Sequence, residues 1–185
     1  MHARNYRKDF PEKNHIYGVN INIGCPDPQI ISAGQGAALI KRRKRIVDLV
    51  SSFLEPQNHP YHLNLKFRLG MNMKDVTLKV LLDVLESLSV IDDNRFHSPI
   101  IHFKHAKQQS DEPPIWEYLN PLLNAGFSFI LNGNITKPQD IEIIKNQLDN
   151  DKQILIKKRM KGIMIGRALI TNPSLFLEFE EIFRN

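Results

Sequence analysis

The residues best equipped for chemistry stand at the ends of short alternating apolar runs. Val19-Asn20-Ile21-Asn22-Ile23 repeats with the period of two that a strand requires, and it stops at Gly24-Cys25-Pro26. Pro26 removes a backbone donor and closes the strand. Cys25, the only cysteine of the chain, therefore sits at a strand's C-terminal tip. A thiol with a pKa of about 8.5 keeps its proton near neutrality yet can surrender it to an enolate. The ordinary alternative is a buried small apolar residue, and a tip between glycine and proline does not suit it. Asn22 lies on the face opposite Ile21 and Ile23, and its amide can both donate and accept. Its ordinary alternative is a polar residue bonded to neighbours inside the fold.

Four further sites share this position. His62-Leu63-Asn64-Leu65-Lys66-Phe67-Arg68-Leu69-Gly70 alternates again and puts Lys66 and Arg68 on one face. Lys66 suits either a functional cation or surface charge, and Arg68 suits a structural ion pair. His102 and His105 belong to a third run but have opposite parity, so a regular strand presents only one of them to a site. Asn132-Gly133-Asn134 closes a fourth run and Gly166-Arg167 a fifth. Small residues there let backbone N–H groups approach a phosphate, and the arginine adds charge. Lys41-Arg42-Arg43-Lys44-Arg45 is a basic run on a helix, either a solvated face or a phosphate-contacting patch.

The elements that must position these residues alternate along the chain. Strands are expected at residues 18–24, 62–70, 99–105, 127–131 and 162–167. Helices are expected at 36–54, 75–89, 116–123, 138–148 with Thr136 as a cap, and 169–183 with a turn at Asn172-Pro173. Residues 56–60 and 108–114 read as loops, and 1–17 as a polar, basic lead-in. No hairpin signal separates the strands, so they form parallel βα units. The fold class is α/β, with about five such units over residues 18–185. The 185 residues, 42% hydrophobic and 24% charged, suit one globular domain. No apolar run approaches a membrane span, no secretory signal opens the chain, and no metal-ligand spacing occurs. One cysteine excludes an internal disulfide and suits a reducing cytoplasm. A net charge of +5 permits a polyanionic partner without establishing one.

Taken together, the strand ends resemble one family, the tRNA-dihydrouridine synthases. Asn22-Ile23-Gly24-Cys25-Pro26 followed by Gly34-Gln35-Gly36-Ala37-Ala38-Leu39 is similar to the family's signature segment. Lys66-Phe67-Arg68-Leu69-Gly70 resembles its lysine-x-arginine-x-glycine strand, and His105-Ala106-Lys107 its histidine-x-arginine strand end. Asn132-Gly133-Asn134-Ile135 and Gly162-Ile163-Met164-Ile165-Gly166-Arg167-Ala168 resemble its two phosphate-binding turns. Order and spacing match over roughly residues 18–177.

The resemblance implies a TIM-type βα barrel that binds FMN, of which this chain supplies the fourth through eighth strands. The family's first three strands and its C-terminal helical domain are expected to be missing. It implies reduction of the C5–C6 bond of uridine in tRNA, with NADPH as reductant. Cys25 becomes the acid that protonates C5, and Asn22 the residue that binds the base. Lys66, His105, Asn132, Gly133, Asn134, Gly166 and Arg167 become FMN contacts. His102 with Lys104 fits the histidine motif in letters as well, but His105 is preferred at the strand end. In either case lysine replaces the family's arginine and loses its planar fork. Two other readings stand beside this one. One is a non-catalytic remnant or split subunit that binds RNA or a complementary chain supplying the missing strands. The other is an FMN barrel that reduces a small pyrimidine.

Overall fold

The period-two runs fold as one parallel sheet. The computed structural model describes residues 17–55 and 60–184; the lead-in up to residue 16 and most of the loop expected at 56–60 lie outside the described residues. Five strands follow in chain order: β1 (Gly18–Ile23), β2 (His62–Arg68), β3 (Ile100–His102), β4 (Phe129–Asn132) and β5 (Met160–Met164). Each pairs in parallel with the next. Parallel neighbours need a crossover, and helices supply it after each strand. The result is five βα units, a partial TIM-type barrel.

Alternation explains how the sheet sorts its two faces. Leu63, Leu65 and Phe67 of β2, Ile101 of β3, and Phe129 and Leu131 of β4 are all fully buried. They pack in one core with Ile46, Val50, Leu81, Val84 and Leu122. Fully burying each such side chain stabilises the fold by about 1.5–3 kcal/mol. The opposite face of β2 carries His62, Asn64, Lys66 and Arg68, all half-buried.

Several helices differ from expectation. The helix expected at 36–54 is divided. Gly34 and Gly36 have positive φ, and a 3-10 turn spans Gly36–Lys41. The α-helix proper, α2 (Arg43–Leu54), begins after the non-helical Arg42. A short helix missed in the sequence, α1 (Pro28–Ser32), precedes the turn, with the Asp27 carboxylate accepting from the N–H groups of Gln29 and Ile30. The helix expected at 75–89 breaks at Lys79, whose φ is 55°, into α3 (Met73–Thr77) and α4 (Val80–Leu88). The next helix is a 3-10 turn, Trp116–Tyr118, running into α5 (Leu119–Asn124).

Thr136 does not cap α6 (Gln139–Asn146). The Asp140 carboxylate instead accepts from the N–H groups of Thr136 and Lys137 and from the Thr136 hydroxyl. A further unexpected helix, α7 (Asn150–Arg159), is capped by Asp149 and carries three cations in its last turn. It runs directly into β5, which therefore starts and ends earlier than the expected 162–167. Gly166 instead precedes α8 (Arg167–Thr171), and α9 (Leu175–Arg184) ends the described chain. The third strand is shorter than 99–105, because the Lys104 N–H turns back onto the His102 carbonyl at 2.6 Å.

At the N-terminal ends of the strands, Tyr17 stacks on His62 at 4.2 Å, and His62 Nδ1 lies 2.7 Å from His97 Nε2. A cavity of about 500 Å³ opens there. In barrels of parallel βα units this end serves stability, whereas chemistry gathers at the C-terminal ends.

Candidate functional site

Strand register brings the polar residues of separate strands into two rows. Asn22 pairs with Lys66, and Lys66 with Ile100. One step further along, Arg68 pairs with His102, His102 with Asn132, and Asn132 with Met164. Lys66 of the first row and all of the second, Arg68, His102, Asn132 and Met164, floor a cleft of about 940 Å³ at the C-terminal strand ends. Its walls include Ser110 and Asp111, the corner Gly133-Asn134, and Gly166-Arg167. A volume of this order suits a small-molecule or cofactor site.

The cleft is rich in cations, and burial works against their charge. Lys66 makes no hydrogen bond or ion pair among the described residues, and burial and then Arg68 hold its pKa below the ordinary lysine value. His102 is pushed down to about 3, first by burial and then by Lys66, Arg68, Lys104 and Arg167. It is therefore a neutral imidazole at physiological pH. The Arg68 guanidinium donates to the His105 carbonyl at 2.9 Å, so its partner is a backbone oxygen and not the expected ion pair. Arg167 donates to the Ser110 carbonyl at 3.2 Å. Asn132 donates its amide to the Met164 carbonyl at 2.8 Å and so ties β4 to β5 beside the cleft.

Asn22 stands one strand away, on β1, with Cys25 just past its end, and the cleft wall includes neither. Arg68 connects the two regions. It lines the cleft, where burial holds its pKa below the ordinary arginine value, and it lies within electrostatic reach of Cys25. A Cβ on Gly24 would meet the Arg68 nitrogen at 3.1 Å and its Cγ at 3.3 Å, so Gly24 lies flat on the end of β2. The Asn22 side-chain oxygen accepts from the Gly24 N–H at 3.0 Å. That fixes the amide and leaves its NH₂ without a partner among the described residues. Cys25 is partly exposed, and its carbonyl accepts from the Ala37 N–H at 3.0 Å.

Lys66, Asn132, Gly133, Asn134, Gly166 and Arg167, all singled out in the sequence, meet around one cleft. His105 does not join them. It lies past the end of β3, where its backbone N–H is held by the Gln108 side chain at 2.9 Å, while His102 occupies the cleft floor. Sequence reasoning named Lys104 only beside His102 and gave it no place in the site. Only 1% exposed, it donates to the carbonyls of Gln109 and Ser110 and fastens that loop as a cleft wall. Its place two residues after His102 was the available signal. Among the described residues no group of acids, histidines and cysteine is arranged to hold a metal. No helix there is long and apolar enough to cross a membrane.

A half-buried lysine, unpartnered among the described residues, and an open backbone at Gly166 in the same cleft suit an anionic ligand. The chain is 24% identical over 168 residues to a tRNA-dihydrouridine(20) synthase [NAD(P)+] of Schizosaccharomyces pombe, covering 88% of this chain and 32% of that protein. It is 24% identical over 168 residues to a human tRNA-dihydrouridine(20a/20b) synthase [NAD(P)+]-like protein, covering 89% and 46%. It is 26% identical over 168 residues to a tRNA-dihydrouridine(20/20a) synthase of Synechocystis sp., covering 85% and 45%. The chain thus spans less than half the length of these relatives. The family model for dihydrouridine synthase (Dus) matches residues 10–185. With the parallel sheet and its C-terminal cleft, that match makes the chain a member of the dihydrouridine synthase family.

Proposed function

We propose that the chain forms part or all of a tRNA-dihydrouridine synthase, which binds FMN in the cationic cleft and reduces the C5–C6 bond of uridine in tRNA. The observation that carries this reading is the convergence of Lys66, His102, Asn132 and Arg167 from four successive units on one cleft. The cleft suits FMN on its own terms. A Cβ on Gly166 would meet nothing within 4 Å, so a phosphate can approach that backbone, and Arg167 adds a charge. Lys66 would hold the polar edge of the isoalloxazine ring, where a cation stabilises negative charge. Neutral His102 replaces His105 as the ring-facing histidine, because only His102 lies on the cleft floor. Asn132, Gly133 and Asn134 would complete the phosphate corner.

FMN held there and reduced by NADPH would supply the hydride that C6 of uridine needs. The protein's own residues handle the base and the proton. Asn22 offers its unpartnered NH₂ to a carbonyl of the base, with its orientation fixed by Gly24. Negative charge then develops at C5 and the C4 oxygen, and the Cys25 thiol gives its proton to C5. A proton from solvent restores the thiol. Incubating the chain with FMN, NADPH and an unmodified tRNA transcript tests the reading. Retention of flavin and appearance of dihydrouridine support it. Reduction of free pyrimidines without change in the tRNA contradicts it.

A further inference from the structure

The basic run at residues 41–45 takes no part in the chemistry above, yet it stands at the same end of the sheet. All five side chains are exposed. Lys41 pairs with Asp75 at 3.2 Å. Arg42, Arg43, Lys44 and Arg45 make no ion pair and no side-chain hydrogen bond among the described residues. Three of these cations fill the first turn of α2, which contains no acid. Cations at that end oppose the helix dipole. The first turns of α6 and α7 carry acids. The run thus disfavours the isolated protein, and an anion laid across it would remove that cost.

The patch is fastened to the loop that holds the thiol. The Arg42 guanidinium lies against Gly34, where a Cβ would stand 2.6 Å from Nη2, and Gly36 packs beneath Cys25. Lys41 reaches Asp75, whose carboxylate accepts from the Met71 N–H in the loop after β2. A membrane-binding helix needs an exposed apolar face beside its charges. Here Ile46, Val50 and Leu54 of α2 are buried in the core. Four adjacent unpaired cations, three of them arginines with planar forks, match closely spaced phosphates instead.

We infer that Arg42, Arg43, Lys44 and Arg45 are a docking surface for the phosphate backbone of RNA, gripping the strand beside the nucleoside offered to Cys25. This rests on the tRNA reading above. The test compares the wild-type chain with the Arg43→Ser/Lys44→Ser/Arg45→Ser variant, leaving Arg42 against Gly34. Binding of a tRNA transcript is measured by anisotropy from 50 to 200 mM salt. Loss of three phosphate contacts means that wild-type affinity falls about 20- to 40-fold more than the variant's across this range. The variant should melt at the same or a higher temperature, since it relieves the dipole conflict.

Equal affinity and equal salt dependence in the two proteins would overturn the inference. So would a variant that loses binding to phosphatidylserine vesicles while its tRNA binding is unchanged. The two proposals fail separately. Salt-sensitive tRNA binding through the patch without dihydrouridine formation leaves the patch standing and sinks the enzyme. Dihydrouridine formation with unaltered tRNA binding by the variant does the reverse.

Discussion

Gly36 lies directly beneath Cys25. A Cβ at position 36 would stand 2.7 Å from the Cys25 carbonyl oxygen and 3.1 Å from the Cys25 Cβ, and the residue's φ of 54° lies in the left-handed region. Gly36→Ala therefore meets strain and a backbone clash together. It should destabilise the chain by about 1–3 kcal/mol in urea unfolding. It should also change the rate at which an external disulfide reagent modifies Cys25. An unchanged rate would separate the glycine from the thiol's position.

Gly166 provides the contrast. Nothing lies within 4 Å of a Cβ there, and its φ is −112°. Gly166→Ala should leave stability within about 0.5 kcal/mol of wild type. It should nevertheless weaken FMN binding by about tenfold or more, or about 1.4 kcal/mol, because the added methyl occupies the space offered to the phosphate. Parallel thermal melts and flavin titrations check both halves.

These two glycines also show how far the sequence could be read. Period-two runs ending in glycine, cysteine or asparagine located all five strands, and with them the strand ends where Lys66, Asn132 and Arg167 meet. The sequence did not show how short β3 is, and that sets which histidine lines the cleft. His102 pairs with Arg68 and Asn132 inside the sheet, whereas the chain has already turned before His105. A strand's length depends on what its neighbours offer, which local pattern does not contain. The helix α7 was missed for another reason. Its apolar residues do not gather on one face, although the Asp149 cap and the cationic last turn were legible.

His102 gives a prediction in pH. Its folded pKa of about 3 lies below the ordinary histidine value of 6.5, so the unfolded chain takes up the proton first as pH falls. The stability this contributes is fully present above about pH 6.5 and is lost as pH falls toward 3, at up to about 1.4 kcal/mol per pH unit. His62 and His105 are also lowered, chiefly by burial. The difference between wild type and His102→Gln therefore isolates this group. Its imidazole resonance should not titrate between pH 7 and 4.5.

Asp75 joins the thiol loop to the loop after β2. It is 5% exposed, pairs with Lys41 and accepts from the Met71 N–H, while the Asn72 side chain accepts from the Asp75 N–H. Asp75→Ala leaves the Met71 N–H and Lys41 without their partner. It should cost about 1–3 kcal/mol in urea unfolding, whereas Lys41→Ala, at an exposed ammonium, should cost under about 1 kcal/mol.

The assignment of the proton that completes uridine reduction to Cys25 carries the proposed mechanism. It is tested most directly by single-turnover formation of dihydrouridine in a tRNA transcript, comparing wild type with Cys25→Ala at matched flavin content and matched reduction by NADPH. With Cys25→Ala the rate should fall by at least about 100-fold, the contribution expected of a positioned general acid, with flavin affinity unchanged. Turnover at the wild-type rate without the thiol would contradict that assignment.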